Sequence, residues 1–394
     1  MNHVKYDLVC LKTKIIINQK GKKFRRINMS YKILTINPGS TSTKVGFFNG
    51  EELEFSVNVS HDAAKLAEFA TISDQLPYRK EIILAEIEKA GIDLSTVDAF
   101  VGRGGGLLAV EGGTYEVNDV LLDHAKRGAN GIQHPAQLGS QLANEFAKQY
   151  SKPAFVVNPP DTDEFIIEAR MTGIKGVYRE SHLHALNLKE TAIRHSNLNG
   201  VKYEDKNYIV CHIGGGVSIS AHRKGKMIDG NDIVTGDGPM APTRCGSVPA
   251  AQMIRYAYDH PDKKETLSLT TKTGGFVSHL GTSDALDVFN RAEAGDKEAK
   301  LIWDTMTYQI IRYIGSMATV LHGRVDGILL GGGMVHNKKL VADITEACSW
   351  IAPVTAYPGE FELEAMAAGA IRVLDGEEKA KVYNGKPSWT PESL

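Results

Sequence analysis

Two arginines placed among glycines and prolines are the first residues of this chain with a clear chemical use. Arg103 lies in VGRGGG and Arg244 in APTRCGS. A guanidinium keeps its charge and grips a carboxylate or phosphate through two parallel hydrogen bonds. Phosphate also suits the run Asn37-Pro38-Gly39-Ser40-Thr41-Ser42-Thr43-Lys44. A tight turn there presents successive backbone N–H groups, with four hydroxyls and one ammonium around them. It is not a P-loop, which needs Gly-Lys-Ser/Thr at the opening of a helix. Two further glycine clusters, Gly214-Gly215-Gly216 and Gly331-Gly332-Gly333, each follow a short apolar run, and ligands of α/β proteins collect at such strand ends. None of the clusters fits G-x-G-x-x-G with an acid ~20 residues on, so an NAD-linked dehydrogenase fails on glycine spacing. His184 in SHLHALN and His212 at the end of NYIVCHI are candidate donors to a transferring phosphoryl group, whereas His182, His222 and His279 read as structural. Asp161 and Asp163 in NPPDTDEF, with Glu360, Glu362 and Glu364 in YPGEFELEA, are the acids available for a divalent cation or for orienting water. Mg²⁺ at a phosphate site is held by one or two such groups together with waters.

Those residues need strands to end where they stand. YKILTIN (31–37) reads as a strand, and 44–59 as hairpin continuations around Asn49-Gly50, a favoured turn dipeptide. Residues 97–103 and 153–157 read as further buried strands, and 80–91 and 134–150 as helices. Asn158-Pro159-Pro160-Asp161 breaks the pattern and marks a hinge near 158–170. The second half repeats the theme, with strands at 207–213 and 325–330 and a long apolar helix between them. The helix over 359–374 is expected to fold back to the first domain. Strand, glycine turn and hairpin occur at 31–48 and again at 207–222, a weak internal echo.

The 394 residues suggest two domains at ~150 residues each. A formal charge of −2 gives no global argument for nucleic acid or an anionic membrane as partner, and no apolar run reaches the ~18 residues of a membrane span. The average hides a split, because residues 1–28 carry eight Lys/Arg against Asp7, or +7, leaving −9 for the rest. That basic segment fails as a signal peptide and is expected to lie outside the fold, ahead of Met29. Four scattered cysteines form no CxxC pair, which argues against a disulfide framework and for a cytoplasmic location.

Taken in order, N-P-G-S-T-S-T-K, V-G-R-G-G, I-x-H-P-A, H-A-L-N, H-I-G-G-G-x-S and Y-P-G-E resemble the acetate and butyrate kinase family, within the actin, sugar-kinase and Hsp70 ATPase superfamily. The resemblance spans about residues 31 to 375. It implies an α/β fold of two related ribonuclease-H-like (actin-type ATPase) domains around a central nucleotide cleft. The first would be 30–165 with about 372–394, the second 166–371. It further implies reversible phosphoryl transfer between ATP and a short-chain carboxylate, giving ADP and an acyl phosphate, with Mg²⁺ as cofactor and a homodimer or higher assembly. By motif, Asn37, Gly39, Ser40, Ser42 and Lys44 fall on the first phosphate turn, and Gly214, Gly215 and Gly216 with His212 on the second. Arg103 and Arg244 fall on the arginines that hold the carboxylate or acyl phosphate, and His184 on a family histidine. Asp284, Gly331, Gly332 and Gly333 fall near the adenosine, and Glu362 on the Mg²⁺ glutamate, with Glu360 and Glu364 close to it. Acetate kinases carry Asn where this chain has Gly215, which favours the butyrate branch over acetate, propionate or branched-chain acids. The family's catalytic aspartate falls on Asn158, so its role passes to Asp161 or Asp163. A non-catalytic nucleotide-binding scaffold of the same superfamily would need the phosphate turns but not the two arginines and His184.

Overall fold

Short apolar runs build two sheets in a computed structural model that describes residues 30–393; the basic segment 1–28 lies outside the described residues. The first sheet begins with β1 (Lys32–Pro38), β2 (Ser42–Asn49) and β3 (Glu52–Ser60), an antiparallel meander. Gly50 turns the second hairpin with φ 63°, a left-handed conformation that glycine adopts without strain. The chain then adds β4 (Ala99–Gly102), β5 (Thr114–Glu116) and β6 (Ala154–Val157). β4 and β6 run parallel to β1. The second sheet repeats the scheme with β7 (Asn207–Ile213), β8 (Val217–Arg223) and β9 (Lys226–Gly230), then β10 (Gly327–Gly332) and β11 (Val354–Pro358). A short β12 (Lys381–Val382) returns to the first sheet beside β5. The orders β12-β5-β6-β4-β1-β2-β3 and β11-β10-β7-β8-β9 share one plan, with a meander on one side and parallel strands on the other. The echo between 31–48 and 207–222 is thus the start of two related α/β halves.

Helices cover both sheets. Leu76–Lys89 and Leu138–Tyr150 bury Ile83, Ile87, Leu138, Leu142 and Phe146 against one face of the first sheet. The long helix Lys297–Val320 buries Ile302, Trp303, Met306, Ile310 and Ile314 against the second. The whole helix Glu362–Leu374 lies on the first sheet, where Ala365, Met366, Ala367 and Ala370 meet Ile33, Ala99, Val101, Phe155 and Val157. Its small residues allow the close approach: a Cβ on Gly369 would come within 2.5 Å of Val157 Cγ1. The fold-back expected for this helix is therefore complete from its first residue.

Candidate active site

The strand ends of both sheets and the opening turn of the helix Glu362–Leu374 converge on one cleft. Asn37, at the end of β1, donates from Nδ2 to Glu362 Oε2 at 2.6 Å. Glu360 sits just ahead of that helix, 4.0 Å from Lys44 Nζ and 3.9 Å from His212 Nε2. The loop carrying Glu360 is fixed by reciprocal backbone bonds between Gly332 and Gly359. Glu360 and Glu362 also repel one another. Burial first, then the Glu362 charge, holds the Glu360 carboxyl above its usual range, with Lys44 opposing.

His184 and His212 stack face to face, with ring centroids 4.1 Å apart at 30°. Two imidazolium ions would repel at that distance. Burial keeps both rings neutral near pH 7. His184 is pushed well below its ordinary value by burial, the His212 ring and Arg244. His212 is lowered to about 4 by burial, against the pull of Glu362. Ser218 Oγ accepts the His184 backbone N–H at 3.3 Å and lies 2.8 Å from His184 Nδ1. That hydroxyl has a second lone pair and a hydrogen of its own, so it either accepts from Nδ1 or donates to it, and the donating arrangement leaves the ring proton on Nε2. On His134 the proton is fixed: its Nδ1 accepts the Ala136 N–H, so Nε2 carries the proton.

Arg103 is buried, with Nη1 donating to the Asn158 carbonyl at 3.3 Å. Burial lowers its pKa, and the carboxylates of Glu362 and Asp161 work against that loss. Arg244 lies against the second glycine turn: a Cβ on Gly216 would stand 1.4 Å from its Nη1. Its Nε is buried and has no hydrogen-bond partner. Neither arginine enters an ion pair among the described residues.

The other sequence candidates divide. Asp161 is buried, accepts from Asn130 Nδ2 at 2.6 Å through Oδ1, and leaves Oδ2 without a partner; burial raises its pKa to about 6. Asp163, the alternative, is committed elsewhere. It forms a buried two-point ion pair with Arg170 (2.5 and 2.6 Å), over which the Trp389 ring lies. Asn158 takes φ 38° and turns its Oδ1 to the Gly113 N–H at 2.7 Å. Asp284 caps the helix Ala285–Glu293 by accepting from Leu286 N and Asp287 N. Gly331 and Gly332 are buried in β10, and a Cβ on Gly332 would come 2.4 Å from the Ile213 carbonyl. Gly333 and Gly215 have nothing within 4 Å of an added Cβ and face open space. Gly214 closes its turn by donating to the Gly216 carbonyl at 3.0 Å, and Gly39 does so to the Ser42 carbonyl at 2.7 Å. Ser40 is exposed and Ser42 half-buried in this first turn. Sequence reasoning passes over Asn130, His134, Ser218 and Arg79. His134 and Ser218 fall inside quoted motifs, whereas nothing local marks Asn130 or Arg79.

Among the described residues no three His, Cys, Asp or Glu side chains gather into a metal-binding group. Mg²⁺ at phosphate sites needs no such cage, since phosphate oxygens and waters fill most of its shell. The mutually repelling Glu360 and Glu362 are a donor set that fits this mode.

This fold and cleft are those of an acyl-phosphate-forming kinase, and the chain belongs to the acetokinase family, whose sequence pattern matches residues 165–350. It is 45% identical over 356 residues to a "Probable butyrate kinase" of Clostridium botulinum strain Alaska E43, covering 90% of this chain and all of that protein. The same figures hold for the protein of strain Eklund 17B. Acetate kinases of Porphyromonas gingivalis (TM-score 0.71, 18% identity, 88% of this chain and 100% of that one) and Entamoeba histolytica (0.69, 16%, 86% and 99%) share the fold.

Proposed function

We propose that this protein is a butyrate kinase, transferring the γ-phosphoryl group of ATP to butyrate and reversing the reaction from butyryl phosphate. The observation that carries the chemistry is the pair of guanidinium groups, Arg103 and Arg244, beside two neutral histidines and without ion pairs among the described residues. Cations with no direct carboxylate partner in a cleft call for an anionic ligand, which a non-catalytic scaffold would not need at this position. The 45% identity to "Probable butyrate kinase" proteins over nearly the whole chain, with Gly215 open to the cleft, supports butyrate as acceptor.

The substrate carboxylate is ionised at neutral pH and is itself the nucleophile, so no strong base is required. One of its oxygens attacks the γ-phosphorus, the bond from that phosphorus to the bridging oxygen breaks, and ADP leaves with the electron pair. Arg103, steadied by Asp161 and Glu362, and Arg244 align the carboxylate and the transferring group. His184 donates from Nε2 to the equatorial oxygens without adding a charge that would bind ground-state anions too tightly. The two glycine turns supply backbone N–H groups. Glu362 and Glu360 would hold Mg²⁺, whose charge offsets that of the nucleotide phosphates. The reading includes hinge closure around 158–170 to exclude water, a cytoplasmic setting and a dimer or higher assembly.

Trapping the acyl phosphate with hydroxylamine tests the reading. Across acetate, propionate, butyrate, isobutyrate and hexanoate, kcat/KM is expected to peak at butyrate. Each methylene lost should cost about tenfold or more, the usual worth of a methylene in an apolar pocket. Arg244→Ala should lose about a thousandfold or more in kcat with its melting temperature kept. Near-normal turnover in Arg244→Ala, or a flat acid series, would overturn the assignment.

A further inference from the structure

Behind the first phosphate turn lies an arginine that the reaction does not call for. Arg79, one turn into the helix Leu76–Lys89, is completely buried. Its Nη1 donates to the Gly39 carbonyl (2.9 Å), the Ser42 carbonyl (3.3 Å) and Thr43 Oγ1 (3.3 Å), and its Nη2 to the Ser40 carbonyl (3.1 Å). Nε is held by Gln75 Oε1 at 3.1 Å. The remaining carbonyl of the turn, that of Thr41, accepts the His61 N–H at 2.8 Å, and His61 Nε2 meets Thr43 Oγ1 at 2.8 Å. The carbonyl oxygens of residues 39 to 42 are thus drawn toward one clamp.

A trans peptide points its N–H opposite to its C=O. Carbonyls gathered on the Arg79 side therefore send the N–H groups of Ser40 and Thr41 to the other side. That orientation is the one a phosphate-binding nest requires.

Charge adds a second, independent observation. Among the described residues Arg79 has no ion pair. His61 beside it is held neutral, lowered to about 4 by burial and by Arg79 itself. Burial draws Arg79 down only to about 10, so it stays a cation at neutral pH. A buried charge without a partner is costly unless something bound nearby supplies the opposite sign.

We propose that Arg79 is a positioning residue for phosphate binding. It touches no substrate, fixes the Gly39–Thr43 turn by its carbonyls, and lends it a positive charge that the polyphosphate of a nucleoside triphosphate balances. The proposal deepens the kinase reading and rests on it for the identity of the ligand.

Arg79→Lys keeps the charge but loses the fork that spans several carbonyls, and Arg79→Gln loses both. The expected result is a KM for ATP raised about tenfold or more in Arg79→Gln and less in Arg79→Lys, with the KM for the carboxylate within about twofold of wild type. The rise in melting temperature produced by ATP should shrink in the same order. A purely structural role would lower the melting temperature without splitting the two KM values, and that outcome overturns the proposal. Where Arg79→Gln fails to fold, Gln75→Leu, which frees only Nε, carries the same expectation on ATP at smaller size. An unchanged KM for ATP and unchanged ATP-induced stabilisation in both Arg79→Lys and Gln75→Leu would likewise overturn it. The stabilisation arm needs no turnover. Wild-type protein that makes no acyl phosphate, yet is stabilised by ATP more than Arg79→Lys is, would sink the kinase reading and leave the role of Arg79 standing.

Discussion

Asp161 and Asp163 stand two positions apart in one loop, and their fates are set by partners that arrive from elsewhere. Arg170 neutralises Asp163 at two points, whereas Asp161 receives one amide from Asn130 and keeps a bare oxygen. Nothing in NPPDTDEF distinguishes them, so the sequence narrows the choice to two acids, and their different partners favour Asp161 for the proposed role. The arginines and histidines are easier to read, because glycines and prolines flanking them betray a cleft before any coordinates do. The raised pKa of Asp161, about 6 from burial, has a definite sign. The folded protein holds this proton more tightly than the unfolded chain, whose value is near 3.9. Its neutral form therefore favours folding at low pH, and that contribution is lost as pH rises from about 4 to about 6, by about 3 kcal/mol if the whole shift acts. Asp161→Asn should melt at a higher temperature than wild type at pH 8 and lose that advantage near pH 4. For catalysis the ionised form is the one that steadies Arg103, so wild-type kcat/KM should fall on the acid side with an apparent pKa near 6. His182 is a second buried titrating group: burial lowers its pKa, but the Asp232 hydrogen bond and charge raise it on balance. The variant therefore decides. An Asp161→Asn enzyme with an unchanged acid limb, or one less stable than wild type at pH 8, contradicts the role given to this carboxylate.

At the scale of elements, glycine runs that look alike in sequence do three different jobs. Gly332 is buried at φ 100° against the Ile213 carbonyl, Gly216 makes room for the Arg244 guanidinium, and Gly333 opens on empty space. The apolar strands that carry these runs are legible from composition, but which glycine is steric depends on what the neighbouring strand or loop places against it. The helix Ala185–Leu198 is hard to read for a related reason. Its buried residues include Asn187, Lys189, Glu190 and Thr191, so no clean apolar stripe announces it. Glu164 and Arg372 supply the opposite charges that let Lys189 and Glu190 be buried. Alanine substitutions separate the three glycines. Gly332→Ala should lose about 2 kcal/mol or more of stability in denaturant titration, since both its conformation and its backbone neighbour forbid a Cβ. Gly216→Ala should keep most of its stability, because a long side chain can swing aside, and lose kcat as Arg244 is displaced. Gly333→Ala should change neither by much. An enzyme in which Gly216→Ala is fully active would show that the observed seat of Arg244 is not the working one.

At the scale of the whole molecule, the repeated sheet order explains how one chain brings two phosphate turns to one cleft: each half ends its first strand in such a turn, and the helix Glu362–Leu374 carries the acids between them. The internal echo is enough to foresee the two halves. The position of the last helix is not, because which sheet a helix covers is decided by complementary small residues such as Gly369 against Val157. The charge of residues 29–394 sums to −9, and the ligand is a polyanion. Long-range repulsion between them must be overcome locally, by Lys44 at the mouth, by the buried Arg79 and Arg103 and by the half-buried Arg244. Salt acts unequally on these two contributions. It screens charges separated through solvent by more than about 10 Å, and screens buried groups at contact distance far less. Raising ionic strength from about 0.03 to about 0.3 M with a weakly binding salt should therefore leave the KM for ATP level or lower it, by about twofold at most, because repulsion is relieved while the inner contacts persist. A site built from surface lysines would behave the other way, losing affinity steadily across that range. A KM for ATP that climbs severalfold over the same interval, at fixed free Mg²⁺, would mean that exposed cations hold the nucleotide and that Arg79, Arg103 and Arg244 do not.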